Sequence, residues 1–158
     1  MRNCKWLLIF TVFVLNLVGC TSETKDMALN SAKQSYEEQL ARELQEYMPL
    51  QHPLFGSWVH FVMTSSEFEV EDVSEVNEGM QMIQVKISTI PLKQRKVLAD
   101  VSAKQNEEYK AKRFNIGSAL SLIEQQPGHE KGKEEIRKII RLRKIGGKWK
   151  TEEVSASP

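Results

Sequence analysis

The sequence contains few residues that could build a chemical site. Its 158 residues include two cysteines, Cys4 and Cys20, and three histidines, His52, His60 and His129. Because both cysteines lie close to the N-terminus, the rest of the chain can form no internal disulfide and hold no metal through thiolates. The histidine spacings match no zinc-binding pattern. The sequence therefore predicts no metal site and no cofactor, and the fold must depend on its hydrophobic core.

Familiar catalytic motifs are missing as well. The sequence has no serine in a Gly-x-Ser-x-Gly turn and no glycine-rich phosphate-binding loop. We interpret His60 as a half-buried strand residue that shares a face with Trp58 and Val62. We therefore expect a non-catalytic binding or structural module. The alternative is a membrane-tethered hydrolase with carboxylates or a histidine in a cone-shaped pocket.

No single sign of charge dominates the chain. It has 22 basic and 21 acidic residues and a formal net charge of +1, so its overall charge indicates neither nucleic acid nor an acidic polymer as partner. Charge is nevertheless clustered locally. The acidic cluster comprises Glu67, Glu69, Glu71, Asp72, Glu75 and Glu78. The basic cluster comprises Lys131, Lys133, Arg137, Lys138, Arg141, Arg143, Lys144, Lys148 and Lys150.

Both clusters fit solvated strand faces, and if the two hairpins lie side by side their opposite charges offset one another. A functional interpretation of the basic cluster is contact with anionic envelope lipid or polymer, because a tethered domain lies close to a charged surface. Another envelope protein is an alternative partner, and nucleic acid is not expected. The candidate residues for anionic-surface binding are Arg137, Lys138, Arg141, Arg143, Lys144, Lys148 and Lys150.

The first 20 residues, MRNCKWLLIFTVFVLNLVGC, have the layout of a secretory signal peptide. Arg2 and Lys5 supply positive charge, an apolar run follows from Trp6 to Val18, and Gly19 is small. A helix needs about 20 apolar residues to cross the hydrocarbon layer, and this run is shorter. An uncleaved transmembrane anchor is therefore the weaker interpretation.

The tetrad Leu17-Val18-Gly19-Cys20 resembles the lipobox of bacterial lipoprotein precursors. The resemblance implies that Cys20 receives a diacylglyceryl group on its sulfur and that a signal peptidase cuts just before it. The alternative is an ordinary signal peptide that happens to contain a cysteine. In that family an aspartate after the cysteine favours retention in the inner membrane. Thr21 at that position implies the outer membrane, on its periplasmic side, if the source is Gram-negative.

Lipidation of Cys20 agrees with simple energetics. One acyl chain gives only marginal binding, whereas two or more, at about 0.8 kcal/mol per buried methylene, hold a protein on a membrane durably. The alkylated sulfur would also leave the mature protein without a free thiol. We therefore divide the chain into a signal peptide at 1–19, a lipidated N-terminus and tether at 20–27, and one domain at 28–158.

The domain combines helical and strand patterns. Apolar residues recur three and four apart over 28–47, which predicts a helix that Pro49 ends. We predict strands at 58–63, 68–76 and 80–90, with a bulged hairpin turn at 77–79, although 58–63 could also form a short buried helix. Two helices are expected between Pro91 and Pro127, broken near 115–118. A hairpin around Gly146-Gly147 then closes the chain, although 134–145 also fits a helix.

The predicted fold is therefore α+β: an antiparallel sheet of about five strands, with one N-terminal helix and two middle helices packed on one face. The segments FEVEDVSEVNEGMQMIQVKI and IRLRKIGGKWKTEEV resemble the strand hairpins of small envelope proteins with a nuclear transport factor-like cone fold. This resemblance implies a fold rather than an activity.

Overall fold

In the computed structural model the backbone is described for residues 4–105, 107–129 and 131–156, and side chains are described within these ranges from residue 22 onward. The elements are α1 (Cys4–Gln45), α2 (Phe55–Thr64), β1 (Glu67–Asn77), β2 (Met80–Thr89), α3 (Leu92–Ala103), α4 (Glu108–Arg113), α5 (Ile116–Glu124), β3 (Glu134–Ile145) and β4 (Lys148–Ala156). The strands form one antiparallel sheet in the order β1-β2-β3-β4. The prediction of an α+β protein with an antiparallel sheet is confirmed.

The helix α1 carries a buried stripe in which every fourth residue faces the core. Its members are Thr24, Ala28, Ala32, Tyr36, Leu40 and Leu44, and Met48 continues the spacing just after the helix. Residues four apart lie on a row inclined to the helix axis. The stripe therefore crosses α1 obliquely, so that the helix contacts all four strands and also α2.

The size of the stripe residues changes along α1. Ala28 and Ala32 belong to a core cluster with Ile83, Val85, Ile140 and Leu142 of the sheet, whereas Tyr36, Leu40 and Leu44 belong to a second cluster with α2, α3 and α5. Alanine has no side chain beyond Cβ, so α1 can approach the sheet closely at these two residues. The larger residues fill the wider space between the helices.

Both hairpin turns lie at the same end of the sheet, because β2 begins where β3 ends and Met80 pairs with Arg143. Gly79, Gly146 and Gly147 all have positive φ there, a conformation that glycine adopts without steric cost. A register shift before Asn77 provides the predicted bulge. The prediction of hairpins at 77–79 and at Gly146-Gly147 is confirmed, and 134–145 forms a strand rather than a helix.

The prediction of a strand at 58–63 is wrong, because this segment lies in α2. Its β-branched and aromatic residues suggested a strand, but the buried residues Phe55, Trp58, Val59 and Val62 follow a helical spacing. Trp58 and Val62 are four apart and share the buried face, which turns His60 to the exposed side. The sheet therefore has four strands among the described residues instead of about five.

The middle of the chain forms three helices, α3, α4 and α5, instead of the two predicted. The predicted break lies just before α5, where Asn115 Oδ1 accepts a hydrogen bond from the Ser118 amide at 2.8 Å and caps the helix. The additional break separates α3 from α4. The stretch between Val101 and Ala111 has one large apolar residue, Tyr109, which is 63% exposed, so no apolar stripe holds a longer helix against the core.

A buried arginine joins three elements at the end of the sheet away from the hairpin turns. Arg95 of α3 is 2% exposed and donates to Glu43 of α1 at 3.2 and 3.3 Å. It also donates to Glu134 at the start of β3, at 3.4 Å. The same Glu134 oxygen accepts from the Leu92 amide at 2.7 Å, which satisfies an otherwise unpaired donor at the first turn of α3.

Replacement of Arg95 should therefore destabilise the fold strongly. We expect Arg95→Ala to lower the free energy of unfolding by about 2 to 3 kcal/mol, because it removes a buried, hydrogen-bonded side chain and leaves Glu43 and Glu134 without their shared cationic partner. The neighbouring exposed residue provides the control, Lys96→Ala, which should change stability by less than about 0.5 kcal/mol. Urea unfolding followed by circular dichroism measures both, and equal stabilities of the two variants would contradict the assignment.

Candidate functional site

The two charge clusters meet on the outer face of the sheet, which we define as the side turned away from α1 and bearing Glu69, Glu71, Lys86, Arg137 and Arg141. In one row across three strands, Glu69 pairs with Lys86, and Lys86 pairs with Arg137. The acidic strand β1 and the basic strand β3 flank β2, so the acidic and basic side chains on this face are close enough to form ion pairs.

These ion pairs perturb the titration of the outer face. Lys86 Nζ lies 2.7 Å from Glu69, and Arg137 donates to Glu71 at 2.9 and 3.2 Å. The hydrogen bond from Arg137 lowers the pKa of the Glu71 carboxyl, and the same contact raises the pKa of Arg137. A hydrogen bond from Lys133 likewise lowers the pKa of Glu67. All of these side chains are in contact with water, so their contribution to stability is small.

The strand β4 supplies partners for two further arginines of β3. Arg141 lies 2.9 Å from Glu153, and Arg143 lies 3.0 Å from Glu152. Three of the candidate surface-binding residues, Arg137, Arg141 and Arg143, are thus paired within the chain. An anionic ligand at these positions would have to compete with an existing carboxylate.

Lys138 lies on the opposite face of the sheet, against α1. It is 7% exposed, and its ammonium group donates to Ser35 at 2.9 Å and to Gln39 at 3.4 Å. Burial lowers the pKa of Lys138, the nearby Arg42 lowers it further, and Glu38 acts in the other direction. The structure therefore places this candidate residue in the helix–sheet interface and apart from the other basic residues.

The lowered pKa of Lys138 has a consequence for stability. Burial in the folded protein disfavours the charged form of Lys138, so the free-energy cost of burying its ammonium group is fully present at neutral pH. This cost disappears as the pH rises toward the ordinary lysine pKa of 10.5. We expect Lys138→Met to raise the free energy of unfolding at neutral pH by about 1 kcal/mol, with a smaller gain in alkaline solution. Thermal unfolding across this pH range, with the exposed Lys148→Met as control, measures the effect; a pH-independent loss of stability would contradict it.

The remaining basic residues surround the turn between β3 and β4. Lys144, Lys148 and Lys150 are exposed, and Ile145 between them is 52% exposed. Trp149 is partly buried against the core cluster that contains Ala28 and Ala32, while Lys144 Nζ lies 5.8 Å from the ring centroid. This combination of exposed cations, an exposed aliphatic residue and a half-buried tryptophan is the least neutralised part of the basic cluster.

His60 lines an open groove between α2 and the helices α4 and α5. The groove has a volume of about 870 Å³ and is also lined by Phe61, Phe114 and Glu108. The Glu108 carboxylate lies 2.7 Å from Lys112, which neutralises it. Among the described lining residues, the groove thus offers one histidine and one ion-paired carboxylate, rather than the converging carboxylates that the hydrolase alternative requires.

The buried polar residues beside the core were not among the residues predicted from the sequence. Arg95 and Thr89 occupy apolar positions of their elements, and the Thr89 hydroxyl lies 2.7 Å from the Tyr36 hydroxyl and 2.8 Å from that of Ser66. Burial raises the pKa of Tyr36, which keeps this hydroxyl neutral. Thr89 lies two residues after Ile87 and therefore shares its face of the strand, so its position on the inner face of β2 could have been predicted from the strand period.

The proposed lipid attachment point is close to the folded core. The side chain of Cys20 lies outside the described residues, but the described part of the α1 stripe already includes Thr24, which is fully buried. Residues 22–27, expected to form a tether, are helical, and Met27 packs against the sheet cluster. None of the helices, in the part of the chain that the structure describes, combines the length and hydropathy required of a membrane span.

Comparisons with known proteins provide no relative for this chain. No protein-family model matches it, and no curated protein and no solved structure gives a significant match. No group of three or more metal-binding side chains is arranged around a common point in the ranges described above. The function therefore has to be argued from the residues themselves.

Proposed function

We propose that the chain is a lipid-anchored protein of the bacterial cell envelope, and that its α+β domain is a non-catalytic binding or structural module. The observation that carries the proposal is the order of features in residues 1–20: basic residues, a short apolar run, a small residue and Cys20. This order is what the lipobox resemblance requires. The membrane, reached through acyl chains on Cys20, is the first partner.

The geometry of α1 supports the choice of anchor. The buried Thr24 is the fourth residue after Cys20, a distance of roughly 6 Å in a helix and about 14 Å in an extended chain. Anchoring at Cys20 would therefore hold the domain against the lipid surface. Such a placement suits a protein whose task is performed at the membrane.

The preference for a module over an enzyme is supported by the charged residues of the outer face and the groove. Glu69, Glu71, Glu108 and Glu153 each lie within 4.0 Å of a basic group. The hydrogen bond from Arg137 lowers the pKa of the Glu71 carboxyl, which makes Glu71 a poor general acid. The hydrolase alternative would depend on His60, and loss of a measured hydrolytic activity on His60→Ala would favour it.

Replacement of Cys20 tests the proposed anchor. We expect Cys20→Ala to remain an unprocessed precursor without lipid, because both the acyl transfer and the cleavage depend on the sulfur. The matched control is Cys4→Ala, which alters a residue inside the removed segment and should leave processing unchanged. Incorporation of labelled palmitate and mobility on denaturing gels give the readout. A Cys20→Ala protein of mature size that still partitions into detergent would contradict the proposal.

A further inference from the structure

We propose that the turn between β3 and β4 rests on the anionic headgroups of the same membrane that holds Cys20. We call the residues from Arg143 to Lys150 the tip surface. The inference depends on the proposed lipid anchor and adds an orientation to it: the hairpin end of the sheet faces the bilayer, and the end containing Arg95 faces away.

The direction of α1 places the anchor and the tip surface on the same side of the domain. The Ser31 hydroxyl lies 2.8 Å from that of Thr151, near the beginning of β4. Further along α1, Ser35 accepts a hydrogen bond from Lys138, which pairs with Ala156 at the end of β4. The helix therefore runs beside β4 in the same direction, and its N-terminal side lies toward the tip surface.

Cys20 and the turn between β3 and β4 lie at similar distances from the contact between Ser31 and Thr151. Measured from the Ser31–Thr151 contact, Cys20 lies roughly 16 Å back along α1, at about 1.5 Å per residue. Gly147 lies roughly 13 Å back along β4, at about 3.3 Å per residue. A membrane that receives acyl chains at Cys20 would thus lie beside Gly146-Gly147. The interaction between charges on the two surfaces would act within a Debye length of about 8 Å.

The chemistry of the tip surface suits anionic headgroups. Residues 143–150 include Arg143, Lys144, Lys148 and Lys150 and no acidic residue. Ile145 is 52% exposed at its centre and Trp149 is half-buried, and aliphatic and tryptophan side chains favour the boundary between headgroups and acyl chains. Arg143 pairs with Glu152, so the three lysines carry the attraction.

The neighbouring turn between β1 and β2 moderates this attraction. Gly79 accepts a hydrogen bond from the Lys144 amide at 2.7 Å, so this turn lies directly beside the tip surface. It contributes the exposed Glu78, which opposes the lysines, and Val76, which is 50% exposed. The contact is therefore expected to be weak without the anchor and effective once the anchor brings the two surfaces together.

The test uses the mature lipidated protein in vesicles of phosphatidylglycerol and phosphatidylethanolamine. Since the Cys20 sulfur is alkylated, a single new cysteine can carry a fluorescent label. Lys148→Cys places the label on the tip surface, and Lys131→Cys, an equally exposed lysine, places it beyond the far end of β3, roughly 36 Å away along the strand. A quencher attached to lipid headgroups then reports the distance of each label from the membrane.

We expect severalfold stronger quenching at position 148 than at position 131. The difference should decrease in phosphatidylcholine vesicles, at high salt, and when Lys144→Gln and Lys150→Gln are added. Equal quenching at the two positions would overturn the orientation. Strong quenching at position 148 that ignores lipid charge and salt would overturn contact through the lysines. Failure of the protein to float with the vesicles would instead refute the lipid anchor on which the inference rests.

Discussion

The buried stripe of α1 is the contact on which the rest of the structure depends. The sheet has four strands and one inner face, and α1 is the element that touches all four of them. Ala28 and Ala32 let the helix lie close to Ile83 and Ile140, and Tyr36, Leu40 and Leu44 continue the same row into the helical cluster. Without this helix the inner face would be exposed, and α2 would lose its main support.

The same packing explains the distribution of charge. Because α1 covers the inner face, most of the acidic residues of β1 and of the basic residues of β3 and β4 are displayed on the outer face, where Glu71 and Arg137 pair across β2. The strand period places Lys138 and Lys144 on the inner side instead: Lys138 faces α1, where Ser35 and Gln39 accept its hydrogen bonds, and Lys144 lies over Trp149. The pairing discourages edge-to-edge association and leaves the tip surface as the region with the greatest excess of positive charge.

Periodicity and turn chemistry predicted much of the fold from the sequence. The helix over 28–47, the bulged turn ending at Gly79 and the hairpin at Gly146-Gly147 are confirmed, because glycine and the helical stripe are local signals. The segment 58–63 was misread since β-branched and aromatic residues also suit a short buried helix. Arg95 and its partners could not be predicted, because Glu43, Arg95 and Glu134 are far apart in sequence and meet only in the folded chain.

Hydrogen exchange of the purified protein tests most directly whether α1 is an integral part of the core from Thr24 onward. If it is, the amides of residues 28–44 should exchange as slowly as those of β2 and β3, because both require global unfolding. The amides of the exposed helix α4 should exchange faster and provide an internal reference. Rapid exchange over residues 28–44, while the sheet remains protected, would contradict the account, since the sheet would then be stable without the helix that covers it.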